Sequence, residues 1–93
     1  MSATEALTAA LRRLVSHPAV TLRRLGIRGV RGSACDCPVA RYLRRELSLP
    51  ADDVLVSARE VTAGASVANP PPEVARFVGA FDGDGYPELE DKE

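Results

Sequence analysis

Each apolar stripe at helical spacing in this chain is bounded by proline or glycine, and that punctuation restricts every regular element to a few turns. Ser2-Ala-Thr-Glu5 has the form of a capping box, and Leu7, Leu11, Leu14 and Val15 follow it on one helical face until His17-Pro18 ends the element. Val20, Leu22 and Leu25 predict a short second helix over 21–25, closed by Gly26. A third begins near Pro38, with Asp36 or Cys37 as N-cap and Val39, Leu43 and Leu47 on its apolar side. After Asn69 and three successive prolines, Val74, Phe77, Val78 and Phe81 give the cleanest helical stripe, stopped by Asp82-Gly83. Between the third and last helices, Val54, Val56 and Ala58 alternate with Leu55, Ser57 and Arg59, as a strand with one buried face requires. A second strand is expected within 60–67, with Ala63-Gly64 as a turn or bulge.

These elements predict the α+β class: three to four short helices packed on a small antiparallel β-hairpin, in a single two-layer domain. The expected domain covers residues 1–87, and residues 88–93 form a charged tail expected to be disordered. A chain of 93 residues buries roughly 60–65% of its unfolded surface, enough for one thin core. With no Trp and only Tyr42, Phe77, Phe81 and Tyr86 as aromatics, that core must come largely from Leu, Val and Ala. Leu11, Leu14, Leu25, Val39, Leu43, Val56, Phe77, Val78 and Phe81 are the expected members.

The formal charge of -1 conceals two opposed halves. Nine arginines face three acidic residues up to Ser48, whereas Arg59, Arg76 and Lys92 face ten acidic residues beyond it. Arg12, Arg13, Arg28, Arg31, Arg41, Arg44 and Arg45 are therefore the candidate residues for binding an anion or an acidic partner. Gly26, Gly29 and Gly32 recur every third residue around Arg28 and Arg31, a spacing unlike that of a dinucleotide-binding loop. The competing reading has these arginines solvating helix faces and pairing with the acidic half.

Cys35 and Cys37 flank Asp36 just before Pro38. A thiol at a helix start is favoured as thiolate, but a C-x-C pair closes a small, strained ring, and only His17 joins the two as a metal-ligand candidate. Small packing residues are the favoured reading, and no metal or cofactor is assigned. Asp82-Gly-Asp84-Gly-Tyr86 looks like the middle of an EF-hand loop, yet Ala80 and Pro87 fall where a ligand and an aliphatic residue belong. A helix stop followed by a turn accounts for it better.

Met1 to Glu5 lacks the basic region and apolar stretch of a secretory signal, and no apolar run has the length of a membrane span. Two cysteines one residue apart do not make a secreted disulfide framework, so the expected setting is cytoplasmic.

The block from Thr21 to Glu46, including Cys37-Pro-Val-Ala-Arg-Tyr-Leu-Arg-Arg-Glu46, together with Phe81-Asp-x-Gly-x-Tyr-Pro87, resembles small uncharacterised proteins of high-GC bacteria and their phages. The resemblance implies one α+β unit and an intracellular setting. It carries no activity and transfers no site residues.

The expected function is a small non-enzymatic binding or regulatory module acting through protein–protein contact, with another protein or a second copy (a homodimer) as partner and no membrane. Nucleic-acid binding through the arginine-rich face is the alternative. A thiol switch or metal site at Cys35 and Cys37 is the second.

Overall fold

Ser2 opens the first helix as the sequence predicts. Its hydroxyl accepts the Glu5 N–H at 3.1 Å, and the Glu5 carboxylate accepts the Ser2 N–H at 3.4 Å. The computed structural model describes residues 2–83 and 85–90. Four helices occur in order: α1 (Ala3–Arg12), α2 (Pro18–Arg24), α3 (Pro38–Leu47) and α4 (Pro72–Asp82). Between α3 and α4 lie β1 (Val54–Val56), β2 (Val61–Ala63) and β3 (Ser66–Ala68), an antiparallel sheet in the order β1-β2-β3. The α+β class is as the sequence predicts.

The expected hairpin is a three-stranded meander, because a turn interrupts what reads as one long strand. The Ser57 hydroxyl donates to the Glu60 carbonyl and accepts from the N–H groups of Arg59 and Glu60, which folds residues 57–60 back on themselves. Gly64, at φ +60°, makes the second reversal. Helix α2 begins three residues before the expected position, since Pro18 is pre-set for a first helical turn. It ends in a Schellman arrangement in which Gly26 (φ +71°) donates to Arg23 and Ile27 to Leu22. That geometry turns Ile27 inward and leaves Leu25, an expected core residue, 37% exposed.

The inward sheet residues Val54, Val56, Val61 and Ala63 join Leu7, Leu11 and Leu14 of α1, Leu22 of α2, and Val39, Tyr42 and Leu43 of α3 in one core. Helix α1 packs on β3 and α3, α3 on β1, and α2 on α3 and α4. Val74, Phe77, Val78 and Phe81 supply the buried side of α4, and Tyr86 packs on Phe77 with ring centroids 4.8 Å apart. The Tyr42 hydroxyl donates to the Ala10 carbonyl at 2.9 Å, satisfying one of the carbonyls that α1 leaves open at its C-terminal end.

The body runs past the expected boundary at residue 87. Leu89 is 1% exposed, its carbonyl accepts the Gly29 N–H at 2.8 Å, and Gly29 and Glu90 form a parallel bridge. Residues 91–93 lie outside the described residues.

Candidate functional site

The three loop glycines are each committed to backbone geometry. Gly26 and Gly32 sit at φ +71° and +77°, where L residues are strained. Gly29 is pressed on the start of α3, so that an added Cβ would meet the Pro38 nitrogen and, at 2.5 Å, the Cys37 carbonyl carbon. The Gly32 N–H is taken by the Asp82 carboxylate at 3.0 Å, and the Val30 N–H by the Asp36 carbonyl at 2.7 Å. The N–H groups of Gly29, Val30 and Gly32 thus already have partners within the chain. Asp82 of the EF-hand-like stretch serves this loop, and Asp84 lies outside the described residues.

The seven candidate arginines divide three ways. Arg28, Arg31, Arg41, Arg44 and Arg45 belong to one region, the loop and the outer side of α3. Asp36 is shared by Arg41 (3.8 Å) and Arg44 (3.5 Å), while Arg41 and Arg45 also donate to the backbone carbonyls of Arg28 and Leu25. Arg31 pairs with Glu90 at 3.4 Å. Arg13 lies apart at the α1–α3 seam, 3.1 Å from Glu46. Arg12 lines a groove on α1 with Thr4, Glu5, Thr8 and Ala9. Among the described residues, four of the seven guanidinium groups therefore meet the chain's own carboxylates, and exposed pairs of this kind stabilise by about 0–1 kcal/mol each. The pairs made by Arg31, Arg41 and Arg44 tie the glycine loop to α3 and the C-terminal segment.

The two thiols differ. Cys37 is the N-cap of α3, 3% exposed, and its sulfur accepts the Ala40 N–H at 3.4 Å. Burial pushes its pKa above the ordinary 9.0, and the charges of Asp82 and Cys35 add to the rise, so the thiol stays protonated at neutral pH. It borders a cleft of about 230 Å³ with Ser33, Ser57, Val78 and Asp82. Cys35 is half-buried, 3.8 Å from the Ser33 hydroxyl. His17 is the exposed N-cap of α2, and among the described residues no three side chains of metal-binding type come together.

The sequence reading did not single out the outer face of the sheet. Leu55 pairs with Thr62 and Thr62 with Val67, so the three form one cross-strand row pointing away from the core. Leu55 and Val67 are 48% and 53% exposed. An outward sheet face is usually polar. The signal was present in the sequence as a leucine on the solvent side of the alternation. Asp52 and Asp53, just before β1, and Arg59 and Glu60, between β1 and β2, are all exposed and together carry a net negative charge.

No protein-family model, curated protein or solved structure matches the chain. Among the described residues no helix is long and apolar enough to cross a membrane.

Proposed function

We propose that the chain is a small non-enzymatic binding module whose task is contact with another protein, made by the outward row Leu55–Thr62–Val67. The observation carrying this reading is the pair of half-exposed aliphatic side chains set side by side on a sheet face otherwise expected to be polar. Full burial of two such residues contributes about 1.5–3 kcal/mol each relative to exposure, enough for a partner to gain from covering them. Asp52, Asp53 and Glu60, exposed beside the ends of β1 and β2 in the chain, favour a partner that presents aliphatic residues with basic ones near them. A cytoplasmic setting belongs to the same proposal and is supported by the two free thiols. The arginine-rich face supports an anionic partner less well, because much of its charge is spent holding the glycine loop.

Photo-crosslinking from position 55 or 67 in the native host tests the reading. It should yield one discrete protein adduct from both positions, abolished by Leu55→Asp or Val67→Asp at the other and absent when the crosslinker is placed at Arg76. The adduct should persist as salt rises, whereas phosphate binding weakens steeply. Equal labelling from Arg76, or none from 55 and 67, removes the proposal.

A further inference from the structure

The exposed side of α1 is nearly its own complement. Thr4, Glu5, Thr8, Ala9 and Arg12 line one open groove of about 510 Å³. Glu5, Thr8, Ala9 and Arg12 lie on the side of the helix away from Leu7, Ala10 and Leu11, and Thr4 borders it with its hydroxyl 3.5 Å from that of Ser66. Glu5 and Arg12 are seven residues apart, so they share one helical face at a separation of about 10 Å along the axis. Midway between them stand Thr8 and Ala9. The Thr8 hydroxyl turns back to donate to the Thr4 carbonyl at 3.0 Å, which leaves two methyl groups at the centre of the face. Among the described residues the Arg12 guanidinium has neither a hydrogen bond nor an ion pair. Glu5 spends one carboxylate oxygen on the Ser2 N–H and, among the described residues, has no partner for the other.

We infer that this face is a twofold contact with a second copy of the chain, in which two α1 helices lie antiparallel with Thr8 and Ala9 at the axis. A twofold at that point sets Glu5 against the partner copy's arginine at position 12, and the same pair recurs on the other side. Small residues at the centre let the helices approach closely, and antiparallel alignment opposes each helix dipole to the other. The requirement for opposite charges in this register makes a second copy the occupant that the face itself specifies. At ten residues α1 is about 15 Å long, so the contact falls at the small end of specific interfaces and the dimer is concentration-dependent. This inference uses a different surface from the sheet face and stands whether or not that proposal holds.

Sedimentation equilibrium on the full chain tests it, with circular dichroism confirming that each variant is folded. The wild type should be a reversible dimer, and Arg12→Glu and Glu5→Arg should each weaken self-association at least tenfold, because each places like charges together. An equimolar mixture of the two variants should dimerise again, since one chain then supplies both arginines and the other both glutamates. Leu55→Asp should leave the dimer intact. A wild type that remains monomeric up to about 1 mM overturns the inference, as does a dimer indifferent to Arg12→Glu or a mixture that fails to reassociate. Should Glu5→Arg unfold through loss of its capping role, Arg12→Glu combined with Glu5→Gln decides the matter: the double variant should associate more strongly than Arg12→Glu alone, and failure to do so counts against the inference.

Discussion

The Cys37 sulfur accepts the Ala40 backbone N–H at 3.4 Å, so a cysteine stands where helix α3 would ordinarily carry Ser, Thr, Asp or Asn. Burial keeps this thiol protonated, against the pull of the Ala40 N–H, which on its own would favour the thiolate. Cys37→Ala should cost about 1 kcal/mol by removing the cap, read as a lower midpoint in urea unfolding. Alkylation at neutral pH should modify Cys35 first and Cys37 only as fast as the protein opens. Faster labelling of Cys37 would restore the thiol-switch reading.

Gly29 and Gly32 look equivalent in the sequence, yet they should respond differently to alanine. At Gly32 the added methyl meets nothing within 4 Å, and the penalty is the left-handed backbone, about 1–2 kcal/mol. At Gly29 the methyl meets the Pro38 nitrogen and the Cys37 carbonyl carbon, backbone atoms at the start of α3 that cannot rotate aside. Gly29→Ala should therefore destabilise by about 3 kcal/mol or more, beyond ordinary overpacking. Thermal unfolding of the two variants side by side checks the order.

The four apolar stripes were legible because helix periodicity and proline placement are local. The three-stranded sheet was not fully so. The break at residues 57–60 depends on one serine hydroxyl closing a turn, and strand alternation alone does not register that. Leu89 was read as part of a charged tail because five of its neighbours in 88–93 are charged, whereas its burial depends on Gly29 being close in space. The arginines were legible as a sequence cluster, but their division among Asp36, Glu46 and Glu90 is a tertiary result. The complementarity of Glu5 and Arg12 was available from spacing alone once α1 was drawn.

Raising the pH should destabilise the fold through two buried groups. Burial lifts the pKa of Tyr42 above the ordinary 10.0, with the charge of Glu46 adding to it, and burial likewise lifts Cys37 above 9.0. Each keeps its proton to higher pH in the folded protein than in the unfolded chain. Their contribution is complete below the ordinary values and is lost as pH climbs through the folded ones. The melting temperature should thus fall above about pH 9, and Tyr42→Phe should remove part of that fall. At neutral pH the same substitution leaves the Ala10 carbonyl without its partner and should cost about 1–3 kcal/mol. A Tyr42→Phe variant as stable as the wild type at pH 7 would contradict the assigned bond.

Ser48 closes α3 in the left-handed region at φ 54°, the only non-glycine residue among those described with positive φ. Glycine is the usual occupant of such a position, because it has no Cβ to clash with the following carbonyl. Ser48 is exposed, and among the described residues no side-chain hydrogen bond compensates for the strain. Ser48→Gly removes the clash at the cost of a more flexible unfolded chain, and the first effect is the larger. The variant should gain about 0.5–1 kcal/mol, seen as a raised urea midpoint with an unchanged slope. A lower midpoint would mean that the serine side chain holds the α3–β1 connection in some other way.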